Sequence, residues 1–185
     1  MKKQFVVTVV ILFAVLSVTA QDKYFTKSGR IIFSSKTDME NIEAHNKSVT
    51  CVLDTKTGNM QFAVLMKGFE FEKALMQEHF NENYVESHKF PKAEFKGQIT
   101  NSSEINYGRD GAYTATVKGK LTIHGETKEV ETNGTVTVKG GKIEAVAGFN
   151  VTLADYRIEI PAIVKDNISK TVKIEVECTL DPLKS

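Results

Sequence analysis

The chain has 185 residues, of which 41% are hydrophobic and 25% are charged, and its formal net charge at pH 7 is +1. This length suits one domain with a substantial core. Cationic and anionic residues are interspersed, without a block of five or more like charges. Because nucleic-acid binding depends on clustered cations that neutralise phosphates, this distribution argues against a nucleic-acid partner.

The first 20 residues predict a signal peptide that is cleaved. Met1-Lys2-Lys3 is a short basic start, an apolar run extends from Phe5 to Val18, and Ala20 ends a small-residue cleavage pattern. The alternative is a membrane anchor, but the run is shorter than the roughly 20 apolar residues of a spanning helix. We therefore expect residues 21–185 to form the mature domain, periplasmic or secreted, without stable membrane insertion. Its net charge is −1, since the removed segment carries two lysines and no acid.

In the first half of the domain, apolar residues at every second position predict strands with one buried face. The alternating sets are Ile31/Phe33, Val49/Cys51/Leu53, Met60/Phe62/Val64/Met66 and Phe95/Gly97/Ile99. Residues 55–59 have the composition of a hairpin loop between two of these strands.

One segment has helical periodicity instead. Between Glu70 and Tyr84 apolar residues recur at helical spacing, and residues 74–78 are good helix formers. We predict one helix of about ten residues here. Our hypothesis is that it covers or flanks a barrel mouth and presents Leu75, Met76 and Phe80 to a ligand. The alternative is that this face closes the barrel end as core.

The second half of the domain predicts five further strands. Alternation extends over residues 113–123, 130–138, 143–151, 156–160 and 172–180, with tight turns predicted at His124-Gly125-Glu126 and Gly140-Gly141. About nine antiparallel strands fit either a barrel or a two-sheet sandwich. Small residues on the inner faces favour a barrel of about eight strands, since a lumen filled by a ligand tolerates them. These small residues are Gly97, Ala115, Gly119, Gly134, Ala145 and Ala147.

The two cysteines, Cys51 and Cys178, both fall in the apolar phase of their strands. An oxidising compartment would permit a disulfide between them. Two buried free thiols that act as small hydrophobic residues fit the pattern equally well.

The sequence contains no pattern that indicates an enzyme, a cofactor or a metal. His79 and His88, among several glutamates, are the densest titratable group, but they lack the spacing of a zinc-binding His-Glu-x-x-His helix. The alternative for such a histidine is packing at a helix end. Asp155 and Arg157 share one face of a predicted strand and could bind an anionic head group, although such pairs are more often surface salt bridges.

Four blocks of the sequence closely resemble the YceI-like family of exported bacterial proteins: Phe69–Tyr84, Lys89–Gly97, Gly119–Lys128 and Phe149–Ile158. The resemblance implies a lipocalin-like antiparallel barrel with an elongated apolar lumen, a polyisoprenoid or other long-chain lipid as ligand, and no established reaction. The commoner branch of the family opens on a Trp-containing segment and a His-Ser pair. This chain has no tryptophan and opens on Tyr24–Arg30, so head-group contacts of that branch do not transfer.

The sequence thus predicts an all-β, lipocalin-like antiparallel barrel of about eight strands with one short helix, which carries a long-chain lipid and is not an enzyme. The alternative is a protein-interaction module of the cell envelope without a lipid ligand. Arg157 is the residue that could contact an anionic head group. The residues expected to line the lumen or its mouth are Phe62, Val64, Leu75, Met76, Phe80, Phe95, Tyr113, Val117, Leu121, Phe149, Tyr156 and Ile174.

Overall fold

Eight long strands pair in one closed, fully antiparallel sheet in the computed structural model, which describes residues 22–183. The predicted signal peptide lies outside the described residues. A two-residue strand, β4, pairs with one end of β2. The strands are β1 (Lys23–Lys36), β2 (Asn41–Asp54), β3 (Asn59–Leu65), β4 (Glu70–Phe71), β5 (Lys92–Ile99), β6 (Gly111–Ile123), β7 (Glu126–Lys139), β8 (Lys142–Thr152) and β9 (Thr171–Pro182).

Closure depends on β1, which pairs with β9 on one side and with β2 on the other. The register between β1 and β2 shifts on both sides of Gly29, which is the behaviour of a β-bulge. A Cβ atom at Gly29 would lie 2.6 Å from the Cys178 sulfur and 3.1 Å from the Val49 carbonyl oxygen. The missing side chain therefore lets the two neighbouring strands converge inside the barrel at this bulge.

Hairpin turns of the expected kind connect the later strands. His124 and Gly125 have φ angles of 51° and 77°, and Gly140 and Gly141 have 57° and 77°. Two consecutive positive φ angles give the turn geometry that matches the twist of a hairpin. The predicted turns at both places are confirmed, as are the antiparallel barrel and its single short α-helix.

The two ends of the barrel differ. One end is filled by a core cluster that includes Leu53, Ile99, Ile143 and Leu180, each at most 1% exposed. At the other end the β3–β5 connection contains helix α1 (Ala74–His79), which continues into a π-helical turn (Phe80–Tyr84). The barrel therefore has one plugged end and one end that a helical segment partly covers.

An aromatic cluster attaches this helical segment to the barrel. The ring of Phe80 stacks on that of Phe33 with centroids 5.5 Å apart, and it also contacts Phe69 and Phe71 at 5.6 and 5.0 Å. A helix of this length is marginal by itself in water. The ring contacts therefore supply the stability that the helix lacks.

The predicted strand at residues 156–160 is wrong. Leu153–Tyr156 form a 3₁₀ turn, Arg157 adopts a left-handed conformation, and a second 3₁₀ turn follows at Ala162–Val164. The amides of Arg157 and Ile158 donate to carbonyls within the same turn, so they are not available for a sheet. Tyr156 and Ile158 are nevertheless both buried, which explains why their alternation imitated a strand.

The two cysteines are buried and free. Cys51 on β2 and Cys178 on β9 are neighbours in the core cluster of the plugged end. The neighbouring Cys178 thiol and burial hold the pKa of the Cys51 thiol well above its ordinary value. Cys51 is therefore a neutral thiol and acts as part of the plugged end.

Two of the small inner residues do not create space for a ligand. Gly97 and Gly119 face each other across β5 and β6, and the ring of Phe95 covers both. A Cβ atom at Gly119 would lie 2.6 Å from the Cζ atom of Phe95 and 2.5 Å from the Gly97 backbone. The volume that the glycines leave is thus filled by an aromatic ring of the protein itself.

We expect Gly119→Ala to destabilise the fold by about 1–3 kcal/mol, since overpacking must move either Phe95 or the strand. The free energy of unfolding in urea measures this change. Gly148→Ala is the matched control, because a Cβ atom there would lie 3.7 Å from its nearest neighbour, the Ile174 carbonyl. Equal stability of the two variants would contradict the close packing described for Gly119.

Candidate functional site

An apolar cavity of about 390 Å³ occupies the barrel between the plugged end and the helical segment. Ligand pockets have volumes of roughly 300–1,000 Å³. Its wall includes Ala145, Ala147 and Phe149 on β8, which are only partly buried because their side chains face this space. The barrel therefore has a lumen of ligand size rather than a filled core.

Most of the residues predicted from the sequence do line this lumen. Those on its wall or at its mouth are Phe62, Val64, Met76, Phe80, Phe95, Val117, Leu121, Phe149 and Ile174. Ala115, Gly134, Ala145 and Ala147, the remaining small inner residues, line it as well.

Three predicted residues, Leu75, Tyr113 and Tyr156, do not line the cavity. Leu75 projects outward and is 62% exposed, because the short α1 presents Met76 rather than Leu75 to the cavity. Tyr113 packs at the plugged end, where its hydroxyl donates to the Arg109 carbonyl. Tyr156 is buried in the 3₁₀ turn after β8 and does not reach the cavity.

The mouth of the lumen is bounded by three segments: the β1–β2 connection with the start of β2 (37–42), the helical segment (73–84) and the β8–β9 connection (153–170). The Glu40 carboxylate joins them, with one oxygen 3.2 Å from Lys73 Nζ and the other accepting from Asn167 Nδ2 at 3.3 Å. The backbone amide of Ser169 donates to Ser35 Oγ at 2.8 Å. We call the Lys73–Glu40–Asn167 contact the Glu40 clamp.

Polar groups of the cavity are concentrated at this mouth. Glu40, His79 and Asn167 line it there, whereas the wall deeper in the barrel is formed mainly by aliphatic and aromatic side chains. Burial raises the pKa of the Tyr84 hydroxyl, so this lining group remains neutral. An apolar ligand in the lumen would thus meet polar groups mainly at one end.

A second, smaller cavity of about 220 Å³ lies beside the β6–β7 turn and is mainly polar. His124 Nε2 is 2.8 Å from a Glu86 carboxylate oxygen, and its Nδ1 is 3.1 Å from the Tyr156 carbonyl oxygen. Arg157 Nε is 3.1 Å from Glu126 Oε1. The predicted head-group residue Arg157 therefore lies at this cavity, 79% exposed and paired, and is not in the lumen wall.

Backbone strain is concentrated at this cavity. Within residues 22–183 the non-glycine residues with positive φ are Glu86, His124 and Arg157, at 43°, 51° and 53°, and all three line it. Such conformations cost free energy and persist where surrounding contacts over-determine them. Here the contacts are those of His124, which ties the end of the helical segment to the β8–β9 connection.

The contacts of His124 act on the carboxyl group of Glu86. The two ring nitrogens of His124 face a carboxylate oxygen and a carbonyl oxygen. The bond from His124 holds the pKa of the Glu86 carboxyl below its ordinary value, with a smaller contribution from Lys89. The sequence analysis counted Glu86 among the glutamates near His79 and His88 and named His124 as part of a turn, but it did not predict the contact between them.

Within residues 22–183, no three His, Cys, Asp or Glu side chains converge as metal ligands. His79 lies at the lumen mouth and is exposed, while His88 is exposed beyond the helical segment, so the two do not form a common site. Asp155 is part of a 3₁₀ turn and shares no strand face with Arg157. No helix of the described residues is long and apolar enough to cross a bilayer.

The His124–Glu86 pair predicts a defined pH dependence. Since the folded pKa of Glu86 is lowered, its carboxylate stabilises the fold above the ordinary value near 4.5, and this stability is lost as pH falls through the lowered value. We expect His124→Ala to raise the pKa of Glu86 towards its ordinary value, as measured by NMR titration of the carboxyl carbon.

The Tm difference between the wild type and Glu86→Gln should accordingly shrink on acidification. Glu82→Gln, on an exposed position of the π-helical turn, is the control and should show no such trend. An unchanged Glu86 titration in His124→Ala would contradict the assigned cause.

Comparisons with known proteins find solved structures with a similar fold. The fold is similar to a polyisoprenoid binding domain from Saccharophagus degradans implicated in plant cell wall breakdown, with TM-score 0.77, 13% identity, and coverage of 88% of this chain and 99% of that one. It is also similar to BcnA of Burkholderia cenocepacia, with TM-score 0.67, 17% identity, and coverage of 82% and 95%. A search of curated proteins finds no matching sequence.

At such identities the structural likeness shows the fold alone. The sequence supplies the assignment, because the profile of the YceI-like domain matches residues 16–180. This range includes all four blocks on which the resemblance was based and all eight long strands of the barrel except the last two residues of β9. The protein belongs to the YceI-like domain family.

Proposed function

We propose that this protein is an exported carrier that holds a polyisoprenoid or other long-chain lipid in its lumen and catalyses no reaction. The observation that carries the proposal is the 390 Å³ apolar cavity, which is open at a polar mouth. The similar domain from Saccharophagus degradans is described as polyisoprenoid binding, which supports the same ligand class here. The basic, then apolar, first 20 residues support a periplasmic or secreted location.

The free energy for such binding comes from solvent exclusion. Each buried CH₂ group contributes about 0.8 kcal/mol of transfer free energy. The transfer of several isoprene units into the lumen therefore contributes more than about 10 kcal/mol of favourable free energy, from which the loss of ligand freedom must be subtracted. Because the deep wall offers few polar partners, lumen length and width would set the specificity.

The interaction-module alternative requires a different interior. A module that uses its outer surface would gain stability from a filled core, because interiors normally pack with few voids larger than a water molecule. The wall residues Ala145 and Ala147 instead leave the centre of the barrel open. This feature favours a ligand inside the barrel over a partner bound to its outside.

Purified protein should contain lipid. We expect native mass spectrometry to show added mass that organic extraction removes, and the extract to contain a long-chain lipid. Ala147→Phe, which fills the lumen, should reduce this occupancy, with an affinity loss of at least about tenfold. Glu144→Phe, at an exposed position of the same strand, is the control and should remain loaded. Protein that is empty in every preparation would contradict the proposal.

The mouth offers a second test on adjacent residues. Met76 lines the cavity whereas Leu75 is exposed on the same helix. We expect Met76→Asp to weaken binding of farnesol in solution by about tenfold or more, since a carboxylate would be placed against the apolar chain. Leu75→Asp should bind farnesol as the wild type does. If circular dichroism shows that Met76→Asp is unfolded, this helix face belongs to the core instead.

A further inference from the structure

Exposed apolar side chains are concentrated around the lumen mouth. Six large hydrophobic residues of the described chain are exposed, and three of them lie on the segments that bound the mouth. These are Met39, Leu75 and Ile163, which are 72%, 62% and 92% exposed. We call these three residues the apolar rim.

Each rim residue lies directly beside a residue that lines the cavity. Met39 precedes Glu40, Leu75 precedes Met76, and Ile163 precedes Val164. On every one of the three segments, one side chain therefore faces the lumen and its neighbour faces solvent.

The Glu40 clamp holds the three segments together. The Glu40 carboxylate contacts Lys73, two residues before Leu75, and Asn167, four residues after Ile163. Met39 directly precedes Glu40 in the chain. The three exposed side chains thus surround one opening as a set.

We propose that the apolar rim docks on the surface of a phospholipid bilayer, so that lipid passes between the bilayer and the lumen without crossing water. This inference rests on the proposed lipid-carrier function. A long apolar chain that left the lumen through water would expose its whole length to solvent. Contact between the rim and the bilayer would instead join the apolar lumen to an apolar phase.

A second copy of the chain is a poorer occupant for this surface. Stable interfaces bury roughly 800 Å² on each partner around a contiguous core. The rim consists of three side chains on three separate segments, with an open mouth between them. A bilayer requires no complementary partner surface, and isolated apolar side chains insert individually at its interface.

The charges around the rim select the kind of bilayer. Cationic and anionic side chains are mixed there, so no net attraction to anionic lipid is built in. The long lysine side chains can extend their ammonium groups towards the head groups while the rim inserts. On the three segments that bound the mouth, the cations are Lys73, Arg157, Lys165 and Lys170, and the anions are Asp38, Glu40, Glu78, Glu82, Asp155, Glu159 and Asp166. Docking should therefore occur on zwitterionic phosphatidylcholine.

The test uses phosphatidylcholine vesicles that contain a fluorescent long-chain isoprenoid lipid. Flotation measures vesicle association, and the fluorescence change on uptake measures the transfer rate. The rim variant is Met39→Ser/Leu75→Ser/Ile163→Ser, and the matched control is Leu65→Ser/Val146→Ser/Leu183→Ser, which removes the other three exposed hydrophobic residues. Farnesol affinity in solution, without vesicles, reports on the lumen of each variant separately.

We expect the rim variant to lose vesicle association and lipid transfer by at least about tenfold, and tenfold corresponds to about 1.4 kcal/mol. Its affinity for farnesol should equal that of the wild type. The control variant should equal the wild type in association, transfer and farnesol affinity. Equal association and transfer in the rim and control variants, with farnesol still bound, would overturn the inference and leave the proposed function intact. Association that requires anionic vesicles and disappears in high salt would also overturn it, as would a change in oligomeric mass caused by the rim variant. Wild-type protein that contains no extractable lipid and takes up no farnesol would refute the lipid-carrier function, and with it the proposed transfer, even if the rim binds vesicles.

Discussion

The pairing of β1 with both β2 and β9 is the constraint on which the rest of this molecule depends. If either pairing were lost, the sheet would have two free edges and the inner faces of eight strands would be open to water. The bulge at Gly29 makes the closure possible, because it lets Val49 and Cys178 approach each other from opposite sides of β1. The apolar lumen exists because the closed sheet encloses more volume than its inward-facing side chains fill.

Closure alone does not give the lumen a direction. The asymmetry comes from the distribution of large and small residues along the strands. Leu53, Ile99, Ile143 and Leu180 fill the barrel at one end, whereas alanine and glycine lie on the wall nearer its middle. The same residue pattern therefore produces a stable plug and an open volume, and leaves the helical end as the route into the lumen.

The strands could be predicted from the sequence because a two-residue period follows directly from burial of one sheet face. The same rule failed at residues 156–160, where Tyr156 and Ile158 are buried by a turn that satisfies its own amides. It also misplaced Tyr113, since periodicity identifies the inner face of a strand but not which end of the barrel a residue occupies. It misplaced Leu75 because helical spacing did not determine which of two adjacent residues, Leu75 or Met76, faces the cavity. Small residues were ambiguous for a similar reason: Ala147 lines the lumen, whereas Gly119 makes room for Phe95.

The mouth was less accessible to sequence reasoning because its contacts connect residues far apart in the chain. Glu40 and Asn167 are 127 residues apart, and at the second cavity Glu86 and His124 are 38 residues apart, so no local period relates the members of either pair. These polar contacts hold three irregular segments that lack the hydrogen-bond ladder of a sheet. The wall of the lumen is thus specified by apolar periodicity and its entrance by a few long-range polar contacts. A barrel of this construction can change the width and chemistry of its entrance, through Glu40 or Asn167, while the strands that enclose the ligand remain unaltered.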